Sequence, residues 1–160
     1  MKKFCLMLVI GLLLSGCGAE QTMETIADDH LQSVMQEQRQ VILEVDQDAI
    51  VLQGECGTMY LCDGYEVSVE VYLAGNLNAT FQSITGFGCD ELTVLETAAA
   101  GAARYECVWT AAGEAGDTIC RAAVMDDGVH HYCVTITAAA EDAQKLQAVW
   151  ESIFDSFTLA

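Results

Sequence analysis

The stretch "LCDGYEVSVEVYL", residues 61–73, decides the reading of the fold. From Tyr65 onward it alternates. Val67, Val69, Val71 and Leu73 share one face; Glu66, Ser68, Glu70 and Tyr72 share the other. A period of two is that of a β-strand with unlike faces. Just before it, "CDGY" predicts a tight hairpin, with Asp63-Gly64 as a type I′ turn needing positive φ at both positions. "TMYLC" enters that turn as a strand, and "AIVLQGE" reads as another before it.

Working outward, "NLNATFQSITGF" predicts a short helix. Asn78 is the expected N-cap, Phe81 and Ile84 face one way, and Gly86 ends it. "NAT" at 78–80 also matches a glycosylation sequon, for which capping is the better account. "ELTVLET" is a further strand, and "ARYECVWTAAGEAGDTICRAAVM" reads as a hairpin with Gly113 and Gly116 in its loop. A last strand, "YCVTITA", leads into "EDAQKLQAVWESIFDSF". There Leu146, Val149, Trp150, Ile153 and Phe157 recur at helical spacing, with Glu141 and Asp142 at the positive end of the dipole. No alternation of parallel strands with crossover helices is visible. The fold class is α+β, an antiparallel sheet flanked by helices with a long C-terminal helix.

The chain begins "MKKFCLMLVIGLLLSGCGAE". Two lysines, an apolar run of 11 residues from Phe4 to Leu14 and a small-residue end give the order of an export signal. A membrane-spanning helix needs roughly 20 apolar residues, so a permanent span is the weaker reading. "LSGC", Leu14, Ser15, Gly16 and Cys17, resembles the bacterial lipobox. The resemblance implies cleavage after Gly16 and a diacylglyceryl thioether on Cys17. Its paired palmitate-like acyl chains would each add about 0.8 kcal/mol of membrane affinity per buried CH2. The expected organisation is a signal peptide at 1–16, a lipidated tether at 17–25 and one domain at 26–160. That domain would open with an amphipathic helix at 26–40 carrying Ile26, Leu31, Val34, Met35 and a solvated His30. The expected location is the extracytoplasmic face of the cell membrane.

Loss of residues 1–16 removes Lys2 and Lys3. Arg39, Arg104, Arg121 and Lys145 then stand against 24 acidic residues, a net charge of −20. Phosphate binding needs clustered lysine and arginine, so nucleic acid is excluded as a partner. Anionic lipid would repel the body, leaving the acyl chains on Cys17 to hold the membrane. The partner expected beyond the membrane is a protein or small ligand. The chain has no proline, which argues against a proline-rich linker.

"AVMDDGVHHYC", residues 123–133, concentrates the residues with chemistry. On a strand the two histidines diverge: His130 goes with Tyr132, Val134 and Ile136, and His131 with Cys133, Thr135 and Thr137. His131 and Cys133 are therefore the remaining candidates for a metal site or a thiol–imidazole pair. Two residues along a strand is a loose separation for either. Asp127-Gly128 repeats the Asp63-Gly64 device and predicts a turn, either as a two-residue loop or as Asp126-Asp127-Gly128 with a bulge. "DQDAIV" lacks the glycine and distal glutamate of a calcium loop. No hydrolase elbow, zincin, Walker or dinucleotide motif is present, so no catalytic residue, metal or cofactor is expected.

Beyond Cys17, the cysteines of the expected domain are Cys56, Cys62, Cys89, Cys107, Cys120 and Cys133, without a C-x-x-C. Outside the cytoplasm an even count invites disulfides, and apolar contexts equally suit free thiols. A hairpin centred on Gly113-Glu114 would set Cys107 directly opposite Cys120, the best candidate pair.

Taken in order, "LCDGYEVSVEVY", "GNLNATFQSITGF", "ELTVLET", "RYECVWTAAGEAGD" and "LQAVWESIFDSF" resemble surface lipoproteins of Gram-positive gut bacteria. Their architecture is similar to the Mog1/PsbP-like fold, an α/β/α sandwich. The resemblance spans residues 48–159. It implies a binding or assembly module and carries no catalytic motif onto any residue. The expected function is a lipid-anchored extracytoplasmic binding or assembly module without catalytic activity. The alternative is a small thiol- or metal-dependent enzyme or sensor using His131 and Cys133.

Overall fold

The computed structural model describes residues 38–113 and 116–160. The signal, the lipobox, the tether and most of the segment expected as a helix at 26–40 lie outside them. Residues 38–40 are within, and they are not helical. Arg39 instead donates its backbone N–H to the Tyr132 hydroxyl at 2.9 Å and its guanidinium to the Leu159 carbonyl at 2.8 Å.

Seven strands form one antiparallel sheet: β2 (Ile50–Gln53), β3 (Gly57–Leu61), β4 (Tyr65–Leu73), β5 (Leu95–Ala99), β6 (Ala102–Ala111), β7 (Thr118–Asp126) and β8 (His130–Ala139). Their spatial order is β2-β3-β4-β8-β7-β6-β5. Three strands run as hairpins to β4. The chain then crosses through helix α1 (Leu77–Thr85) to the far edge and returns by hairpins until β8 closes against β4. A short ribbon, β1 (Val41–Ile42) with β9 (Thr158–Leu159), joins the two ends of the described chain. The sequence reading contained neither strand.

The alternation read in β4 holds at its start, with Tyr65 and Val67 buried and Glu66 exposed; Val69 and Val71 are half-buried on the same side, and Leu73, expected with them, is exposed. Val67 is fully buried against helix α2 (Ala143–Ser156), whose Leu146, Trp150, Ile153 and Phe154 are buried with Met125, Tyr132, Val134 and Ile136. Val149, expected on that stripe, is exposed. The opposite face holds a second cluster, Phe81 of α1 with Cys107, Ala122, Val124 and Cys133. β8 lies between β4 and β7 and beneath a helix on each side, which is why it is buried almost throughout.

Local chemistry altered three expected features. The Asp63-Gly64 loop is where it was expected, but only Gly64 has positive φ (85°), so the turn is not type I′. The loop between β7 and β8 is Gly128-Val129, one residue later than expected, because Asp126 pairs with His131 across it. The N-cap of α1 is Asn76, whose side chain accepts the Asn78 amide. Asn78 instead accepts the Cys89 amide at 2.7 Å and ties down the segment after the helix.

Candidate functional site

α1 lies across β8 at His131. The helix presents Thr80 and Phe81 to the sheet, and both are buried. Thr80 Oγ1 is 2.7 Å from His131 Nδ1, and His131 Nε2 is 3.5 Å from Asp126 Oδ2 on β7. A carboxylate only accepts, so the tautomer with the proton on Nε2 suits both neighbours, the Thr80 hydroxyl then donating to Nδ1. Threonine, histidine and aspartate in line suggest a nucleophilic triad, but the burial runs the wrong way. The hydroxyl is sealed beneath the helix, and Asp126 is the member that reaches solvent. A nucleophile must be reachable by a substrate. This line of groups fastens α1 to the sheet.

His131 and Cys133 share a face, as expected, without forming a pair. Both imidazole nitrogens already face Thr80 and Asp126, and the Cys133 sulfur approaches only the His131 carbonyl, at 4.0 Å. Burial, with a smaller contribution from the Glu70 charge, pushes the Cys133 thiol up to about 12. At neutral pH it is a protonated, apolar group rather than a thiolate. His130 points to the other face, its ring 5.8 Å from that of Tyr132. Among the described residues, no three His, Cys, Asp or Glu side chains gather where they could hold a metal ion.

Asp127 is fully occupied by its turn. Oδ1 accepts the amides of Val129 (2.9 Å) and His130 (2.7 Å), and Oδ2 accepts the Tyr132 hydroxyl (2.9 Å). Burial alone would raise this carboxyl. The two amides and the hydroxyl outweigh it and hold the group below the usual carboxylate range. The aspartate thus sits before the loop, satisfying the amides that leave it, and this sets the phase of the turn.

The expected opposition of Cys107 and Cys120 does not occur. The β6–β7 register pairs Cys107 with Ala122 and Trp109 with Cys120, a shift of two residues that leaves the cysteines diagonal. Direct neighbours are the ones whose Cβ atoms come close enough to bridge. Both thiols are free and buried, and burial pushes Cys107 up to about 11.

One charged cluster escaped the sequence reading. Glu106 on β6 accepts Arg104 Nε at 2.8 Å and Arg121 Nη2 at 2.7 Å. Arg104 also donates to the Phe154 carbonyl (2.8 Å) at the end of α2, and Arg121 lies 4.5 Å over the Phe154 ring. Burial works against the Glu106 charge, yet the two guanidiniums hold the carboxyl below its ordinary value. The signal was available: three charges inside otherwise apolar strands, in a chain with six basic residues.

On the α1 face, beyond the helix, a hollow of about 410 Å³ opens over β2, β3 and β4. Leu52, Met59, Cys56, Ser68 and Glu70 line it. The Tyr72 hydroxyl donates to Glu70 at 3.1 Å.

This sheet, with its crossover helix and its C-terminal helix, occurs in solved proteins. The cyanobacterial PsbP of Synechocystis sp. PCC 6803 superposes with a TM-score of 0.55, over 77% of this chain and 92% of that one, at 8% identity. The fold is PsbP-like. LpqN of Mycobacterium tuberculosis, a protein involved in cell envelope biogenesis, superposes with a TM-score of 0.51 over 78% of this chain and 86% of its own, at 11% identity. No protein-family model matches the chain, and no curated protein matches it. Among the described residues, no helix of this PsbP-like domain is long and apolar enough to cross a membrane.

Proposed function

We propose that the chain is a lipid-anchored, extracytoplasmic PsbP-like module that binds or assembles with a partner and has no catalytic activity of its own. One observation carries this reading. His131, Asp126, Asp127 and Glu106 are committed to holding turns and helices, while the apolar side chains of β2 stand exposed. The sequence supplies the address through Leu14, Ser15, Gly16 and Cys17. The acyl chains on Cys17 hold the membrane, and the strong negative charge excludes nucleic acid. That a cell-envelope protein shares the fold is compatible with this setting.

Fractionation of cells expressing the full chain tests the anchor. The native protein is expected in the membrane fraction, labelled by radioactive palmitate, and Cys17→Ala is expected to be soluble and unlabelled. Membrane retention of the variant overturns the anchor. Cross-linking in the native envelope tests the binding role, and the absence of a reproducible cross-linked species counts against it.

A further inference from the structure

The two edges of the sheet are protected unequally. β5 carries Glu96 within the strand. β2 carries no charge and no proline, and Ile50, Val51 and Leu52 are 64%, 50% and 47% exposed. Natural edge strands are normally blunted by charge, proline, bulges or a cover, because their unpaired backbone groups accept further strands. Among the described residues, nothing pairs with the outer side of β2. The phase of the ladder is fixed by the Gly54 amide, which donates to Gly57 O at 2.8 Å, together with the pairing of Leu52 with Met59. Bonded and non-bonded pairs alternate, so Val51 and Gln53 turn their N–H and C=O groups outward while Ile50 and Leu52 turn theirs toward β3.

We propose that β2 accepts an extended segment of a partner protein as an eighth strand, and that basic residues flank that segment. The inference rests on the binding-module reading and names the class of partner. Outward backbone groups would supply affinity, and alternate side chains reaching the hollow beside Leu52 and Met59 would supply selectivity. The uncharged strand is bracketed by Asp46 and Asp48 before it and Glu55 after it, with Glu70 in the hollow. The same bracket argues against a second copy of this chain. Antiparallel self-pairing centred on Val51 would lay the Asp46 and Asp48 end of each copy alongside the Glu55 end of the other, twice, and like charges gathered at that range repel. Lysine or arginine at those positions reverses the sign.

The test uses the full chain in detergent and a synthetic peptide of alternating threonine and valine with lysine at both ends. Amide exchange is followed by NMR. The peptide is expected to slow exchange at Val51 and Gln53 about tenfold or more, with no change at Ile50 and Leu52. Val51→Pro removes an outward donor without touching the ladder to β3 and is expected to abolish the effect. The same peptide with glutamate ends, on the unaltered chain, is expected to bind at least about tenfold more weakly, so the test does not depend on the variant folding. No protection by the lysine peptide overturns the proposal, and so does equal protection by both peptides. Protection of Val51 and Gln53 before any peptide is added also overturns it, since the edge would then already be filled by another part of this chain or by a second copy. A reproducible cross-linked partner in the envelope alongside a negative peptide result would remove the edge proposal and leave the binding role standing.

Discussion

Thr80 shows how little of a buried polar contact is written locally. It stands 51 positions before His131, and only the crossing of α1 over β8 brings the two to 2.7 Å. Thr80→Val preserves shape and leaves a buried imidazole nitrogen without a partner. It is expected to lower stability by about 1–3 kcal/mol in urea denaturation, whereas Thr80→Ser retains most of it. Equal stability of Thr80→Val and the native chain would show that the contact contributes nothing. Ala100 poses the opposite case. It and Gly101 make the β5–β6 loop with φ of 52° and 75°, so a Cβ sits in the left-handed region. Ala100→Gly relieves that strain and loosens the unfolded chain, for a net gain of about 0.5 kcal/mol. A lowered urea midpoint would contradict this.

Elements were legible where their pattern is short-ranged. Period two at the start of β4 and the three-and-four spacing of Leu146, Trp150 and Ile153 are properties of neighbours, and both are reproduced in the sheet and in α2, while Phe157 is buried just past the helix in extended backbone. What depends on two segments at once was not legible. The β6–β7 register slipped by two because the hairpin axis lies one residue further along the chain than Gly113-Glu114, and that alone separated Cys107 from Cys120. The β7–β8 loop moved by one because Asp127 bonds forward to Val129 and His130. The union of α2 with the sheet is a further pairwise feature. Its last carbonyls lack partners within the helix, and Arg104 reaches from β6 to supply donors to them. Glu106→Gln leaves Arg104 and Arg121 without a counter-charge. The expected loss is about 2 kcal/mol, between the values for exposed and fully buried pairs. A loss of only a few tenths would mean that the guanidiniums are held by their Phe154 contacts and by the Phe157 carbonyl and ring, 3.5 Å and 5.7 Å from Arg104, alone.

At the scale of the whole molecule, acidification pulls in two directions. The chain carries a net charge of −18, and neutralising carboxylates relieves its self-repulsion. Glu106 works the other way. Its folded value lies below its unfolded one, so its contribution is complete above the unfolded value and is lost as pH falls through the folded one. The stability difference between the native chain and Glu106→Gln is therefore expected to be constant from pH 7 to about 5 and to shrink below about 4.5. A difference independent of pH down to 3 would remove the charge from the explanation.

The β1–β9 ribbon closes the chain on itself, since Gln40 and Ala160 exchange two backbone hydrogen bonds. Which residue is sewn first is then immaterial to the sheet. A circular permutant joined from Ala160 to Gln40 and opened at Gly113 keeps every strand neighbour. Its new ends would emerge near Asp117, which is bonded to Ala140 at the start of α2. The start of α2 and the β1–β9 ribbon lie at opposite ends of that 14-residue helix, which is about 21 Å long. The same domain could thus be suspended from its opposite pole, with β2 unchanged.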